Sequence, residues 1–137
     1  MPWTHHSVVY RPAQNQFLLH YVGQADASDL TDYALFDFSV RVPGGGYTKT
    51  QLDYLRIQAC EGLFALLEWD ATTDDLIAAS AGSAPYVYPP PFDRADLVAG
   101  SMLIDPASTG TTGDIVLTTL GGAVGRAVMI DARIILL

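Results

Sequence analysis

The sequence predicts an all-β fold, an antiparallel β-sandwich or jelly roll, and three observations carry that expectation. Apolar and polar residues alternate with period two in several short runs. Clusters of glycine, proline and aspartate separate those runs at short intervals. No stretch sustains the 3.6-residue period of a long helix. The expectation is one β domain over residues 1–137, with 1–50 as an N-terminal arm or hairpin region and 52–137 as the core.

Taken in order, Ser7-Val8-Val9-Tyr10 and Gln16 to Val22 flank the polar stretch Arg11 to Asn15, which reads as a hairpin. Gln24 to Asp32 is small and polar, and Ser28 or Asp29 could cap a short helical turn. Tyr33 to Val42 alternates and reads as a strand, ended by Pro43-Gly44-Gly45-Gly46. From Tyr54 to Cys60, Leu55, Ile57 and Ala59 take one face and Tyr54, Arg56 and Gln58 the other. Leucine and alanine make Leu52 to Leu67 superficially helical, but Gly62 and the alternation before it favour two strands, the second reaching Trp69. Leu76 to Ala79 is a short apolar segment after an acidic loop.

Pro89-Pro90-Pro91, between Tyr86, Tyr88 and Phe92, must be extended and cannot enter the middle of a sheet. It reads as an edge, a rigid crossover, or an arm lying on another subunit. Residues Gly113 to Leu137 read as two strands, Ile115 to Thr119 and Val128 onward, joined as a hairpin through Gly121-Gly122-Ala123-Val124-Gly125. So apolar an end as Ile134-Ile135-Leu136-Leu137 belongs in the domain's own core or under a neighbouring subunit.

Composition narrows the function. Half of the 137 residues are hydrophobic and only 16% are charged, yet no apolar run approaches the roughly 20 residues of a membrane span. That imbalance points to surface hidden by self-assembly or a large partner. Fifteen acids stand against one lysine and six arginines, a formal charge of −8, so no basic stripe exists to neutralise phosphates. Neither nucleic acid nor membrane is an expected partner. Cys60 is a single cysteine in an apolar run, which reads as buried and inert. The start, Met1 to His6, has no basic region followed by an apolar stretch, which favours assembly in the cytoplasm.

Candidate chemistry is sparse. Asp70, Asp74 and Asp75 could gather around a cation, but the loop lacks an EF-hand's glycine and distal glutamate, and turns use the same residues. His5, His6 and His20 could hold zinc, though neighbours on a strand point to opposite faces. Glu68 and Asp70 would share a strand face, as paired carboxylates of a glycosidase do; at a strand end they read as solvated. Ser83 and Ser101 lack a nucleophile elbow, and the glycine-rich turn lacks the lysine of a P-loop. No catalytic residue, cofactor or metal is expected, and the chain does not read as an enzyme.

Leu66-Leu67-Glu68-Trp69-Asp70, running into Ala71-Thr72-Thr73-Asp74-Asp75-Leu76-Ile77, is followed by Gly113-Asp114-Ile115-Val116-Leu117-Thr118-Thr119 and a closing apolar strand. This order resembles small virion proteins of tailed bacteriophages, and Gly100 to Pro106 resembles their glycine-to-proline turn. The likeness covers roughly residues 52–137, and the chain ends without the basic tail of many such proteins.

The resemblance implies a decoration, or cement, protein on the capsid exterior, with the major capsid protein and further copies of itself, as a dimer or trimer, for partners. An acidic exterior protein need not touch packaged DNA. Trp3, Tyr86, Tyr88 and Phe92 are the expected partner contacts, because aromatic anchors dominate interface energies. The alternative is a tail or host-recognition module that binds a cell-surface glycan. A small β-fold hydrolase would instead need a polar pocket with perturbed acids or histidines.

Overall fold

Alternation along the chain becomes two antiparallel sheets in the computed structural model, which describes residues 3–82, 85–88 and 103–137. In chain order the elements are β1 (Thr4–Ala13), β2 (Gln16–Gln24), β3 (Tyr33–Phe36), α1 (Phe38–Arg41), β4 (Thr50–Ala59) and β5 (Phe64–Trp69). They continue with β6 (Asp75–Ala81), β7 (Tyr86–Tyr88), β8 (Leu103–Ile104), β9 (Ile115–Leu120) and β10 (Ala127–Leu136). One sheet runs β1-β2-β10-β4, with β7 and β8 both pairing with β4. The other runs β3-β9-β5-β6.

The inward rows meet in a shared core, as a sandwich requires. Phe17, Leu19 and Tyr21 of β2, Leu55 and Ile57 of β4, and Ile130 and Ile134 of β10 line one side. Phe36, Leu67, Trp69, Ile115 and Leu117 line the other. Phe17 and Phe36 meet edge to face across the two sheets, with ring centroids 5.0 Å apart. The apolar end belongs to this core: Ile134 and Leu136 are buried in β10, which lies between β2 and β4 at the centre of its sheet. The first hairpin is as expected, and β2 is an integral strand of the sheet, paired with β10 from Gln24 to Gln16.

Three local expectations are corrected. The strand expected over Tyr33 to Val42 stops at Phe36, because the Asp37 side chain accepts a hydrogen bond from Val40 N and caps the single turn of α1. No helix forms at Ser28 and Asp29; Asp29 instead accepts from the backbone of Gly121 and Gly122. The third correction concerns topology. β9 and β10 are not a hairpin: β9 pairs with β3 and β5, β10 with β2 and β4, so the glycine-rich turn crosses between sheets.

Arg126 anchors that crossover, donating from Nη1 to the carbonyls of Gly121 (2.5 Å) and Gly62 (2.9 Å). Gly62 has φ +87°, which favours glycine, and a Cβ there would push the Arg126 guanidinium out of its place against the Gly62 carbonyl. The proline-rich stretch 89–91 lies outside the described residues.

Candidate functional site

Period two puts every second residue of β1, β2, β10 and β4 on the outer face of their sheet, and the register aligns them in rows. One row is His6, Val22, Met129 and Gln58. The next is Val8, His20, Asp131 and Arg56, and the third is Tyr10, Leu18, Arg133 and Tyr54. Val8 (61%) and Tyr10 (60%) are the most exposed apolar side chains of this face, and Leu18, Tyr54 and Met129 are also exposed.

The middle row is tied by a hydrogen bond between His20 Nδ1 and Asp131 Oδ1 at 2.5 Å. Arg133 Nε donates to Asp53 Oδ1 at 2.6 Å, which raises the arginine further above its ordinary range. Two open grooves flank the His20–Asp131 pair. One, of about 270 Å³, is walled by Val8, Tyr10, Leu18 and Tyr54. The other, of about 340 Å³, is walled by Val22, Cys60, Val128 and Met129. Cys60 is half-buried there, its sulfur accepting from Ala127 N.

A second cluster lies on the other sheet. Carboxylate oxygens of Asp32, Glu68 and Asp74 lie within 4.8 Å of one another. Asp32 is pushed up by a hydrogen bond with Asp74, then by burial; Glu68 is pushed up by burial, then by the charge of Asp74. Asp32 Oδ1 also accepts from the Thr118 hydroxyl. Like charges this close make ionisation of Asp32 and Glu68 more costly. As a calcium cage the three would need further oxygens from backbone or water to complete the usual six to eight.

The acidic loop divides its aspartates. Asp70 accepts from the Thr112 hydroxyl, Asp74 from Ala71 N within the turn, and Asp75 buries Oδ2 with no partner. The turn role is therefore filled by Asp74. The carboxylate beside Glu68 that matters is Asp32, not Asp70; nothing in the spacing could have shown this, since the two lie 36 positions apart and meet only through the pairing of β3, β9 and β5. The histidines separate as well. His5 points inward, stacked on Tyr33 at 4.1 Å and bonded through Nδ1 to the buried Tyr21 hydroxyl at 2.7 Å, while His6 and His20 are exposed.

The aromatic contacts expected from sequence have separate environments. Trp3 is buried, and its indole N–H donates to Ser28 O at 2.9 Å, so it anchors the chain's own start. Tyr86 and Tyr88 lie on β7, half-buried against the core. Phe92 is outside the described residues. The exposed apolar residues of the outer face, Val8, Tyr10, Leu18, Tyr54 and Met129, were not singled out from sequence; the alternation of β1 and β2 was the available signal.

The two pieces of the virion-protein pattern are neighbours. β5 and β9 pair from Phe64–Leu120 to Trp69–Ile115, and beyond them Asp70 N donates to Asp114 O at 3.0 Å. Trp69 is buried and donates to Thr50 Oγ1 at 3.3 Å. These residues build a corner of the sandwich. Fold and surface together define a two-sheet β domain with one broad, partly apolar outer face. No protein-family model matches the chain, and no match was found among curated proteins or solved structures.

Proposed function

We propose that this chain is a tailed-bacteriophage virion protein that decorates the capsid exterior and cements contacts between capsomers. The observation that carries the proposal is the outer face of β1-β2-β10-β4, where every strand exposes an apolar residue: Tyr10, Leu18 and Tyr54 share a row with Arg133, and Val8 and Met129 stand in the two neighbouring rows. A broad face with shallow open grooves suits association with a flat protein surface. Apolar rows would supply the contact energy and the His20–Asp131 and Arg133–Asp53 pairs would fix orientation. The strand-and-turn pattern around Trp69 and Asp114 supports the same reading by resemblance. The net charge of −8 suits a position outside the shell, away from packaged DNA. Repetition over a symmetric shell would multiply each weak contact.

The test is to mix the purified protein with undecorated mature shells of its phage, sediment them, and count copies bound. Saturable binding at hundreds of copies per shell is expected, reduced at least about tenfold by Leu18→Asp with Tyr54→Asp, because two charges would be desolvated at the contact. A chain that binds no shell overturns the proposal and directs the search to tail proteins and host glycans.

A further inference from the structure

Edge strands expose a row of backbone donors and acceptors, and soluble proteins usually blunt them with lysine, proline, bulges or a covering segment. β1 pairs only with β2 among the described residues, so its far side is such an edge. It spans ten residues, Thr4–Ala13, and its protection is confined to one end. Pro12 and the break in register lie beyond Tyr10, and the chain's one lysine, Lys49, is elsewhere. From Thr4 to Tyr10 the edge is regular, uncharged apart from its histidines, and topped by Val8 and Tyr10, both about three-fifths exposed.

Charge selects what can approach it. All fifteen acids lie at Asp26 or later, and residues 1–25 hold none, although the whole chain carries −8. Two copies repel each other through most of their surfaces at distances within the roughly 8 Å screening length of physiological salt. At β1 they meet without carboxylates facing each other on either strand.

We propose that β1 pairs with β1 of a second copy, antiparallel about a two-fold axis near Val8, joining two sheets edge to edge. Backbone bonding would supply affinity and the alternate side chains the register. Val8 would stand opposite its own copy and Tyr10 opposite His6, an aromatic cross-strand pair. Because the same edge serves both partners, the assembly closes at two and does not propagate. The axis is normal to the sheet, so both outer faces point the same way. The grooves beside Val8, Tyr10 and Leu18 then adjoin across it. The pairing does not rest on the shell-binding proposal, since its readout is the isolated protein.

Sedimentation of the full chain between about 10 µM and 1 mM should give twice the 14.7 kDa chain mass at the upper end. Val8→Lys, which sets two ammonium groups opposite each other, should weaken the dimer at least about tenfold with unchanged far-ultraviolet circular dichroism. Opposed residues on antiparallel strands have Cα atoms about 4.5–5.5 Å apart, within disulfide reach. In a Cys60→Ser background, Val8→Cys should therefore oxidise to a covalent dimer. Leu76→Cys on β6, equally exposed at 60%, should remain monomeric. A monomer at every concentration overturns the proposal. So does a dimer that is indifferent to Val8→Lys, or one that cross-links through Leu76 rather than Val8.

Discussion

Asp32 illustrates how much a single side chain depends on partners distant in sequence. It takes a positive φ of 50°, unusual for a residue with a side chain, and its carboxyl meets Asp74 and Glu68. Its pKa and that of Glu68 are both raised in the fold. A raised folded pKa means that the folded state holds its proton more tightly than the unfolded chain. Stability from this source is complete below the unfolded carboxyl pKa and is lost as pH rises through the folded value. The contribution of these groups to stability should therefore rise as pH falls from 7 toward the unfolded carboxyl pKa of about 4. Asp32→Asn should stabilise the protein at pH 7, by less than about 1 kcal/mol because the site is exposed to solvent, and its advantage should shrink as pH falls toward about 4. Urea midpoints for both proteins at the two pH values check this. Parallel changes with pH would show that Asp32 is not the group responsible.

At the scale of elements, the crossover from β9 to β10 is held by side chains that local reading cannot pair. Asp29 Oδ1 accepts from Gly122 N at 2.6 Å and from the Thr119 hydroxyl at 3.2 Å, while Oδ2 accepts from Gly121 N at 3.3 Å. A Cβ on Gly122 would strike Ser28 O, so the loop before β3 and the crossover touch backbone to backbone. Asp29→Ala removes all three bonds, two of them to backbone N–H groups. It should cost about 1.5–3 kcal/mol, the range for hydrogen bonds to a charged group. Amide exchange at Gly121 and Gly122 should accelerate while β10 stays protected. Unchanged exchange at both glycines would mean that Arg126 alone fixes the turn.

The same scale shows what was legible. The alternation from Tyr54 to Cys60 separated the buried Leu55, Ile57 and Ala59 of β4 from the outward Tyr54, Arg56 and Gln58, because a strand's inward side is written every second residue. The expected hairpin between β9 and β10 failed because alternation specifies a strand's faces but not its neighbours. A glycine-rich turn suits a hairpin and a crossover equally. α1 was missed since one turn, capped by Asp37, is too short to show a helical period. The outer face was half legible: Val8, Tyr10, Leu18 and Tyr54 stand in alternating runs, but only the register places them in adjoining rows.

For the molecule as a whole, buried side chains from both sheets form one contiguous cluster, and β2 and β10 at the centre of one sheet come from opposite ends of the chain. Neither sheet can bury its apolar face without the other. Thermal or urea unfolding should therefore be a single transition, coincident by far-ultraviolet circular dichroism and by the fluorescence of buried Trp3 and Trp69. Two separated transitions would mean that the sheets unfold independently.

By itself the sequence determined the class of fold, the two faces of β4, and the excess of acid confined to residues after Ala25. Those properties are local or additive, so they survive without knowledge of contacts. Tertiary structure decided which strands are neighbours, that Trp3 is spent in the core, that Asp32 joins Glu68 and Asp74, and that β1 is an edge among the described residues. Each of these depends on pairings between distant segments, and the burial of a shared core selects such pairings only when the whole chain folds.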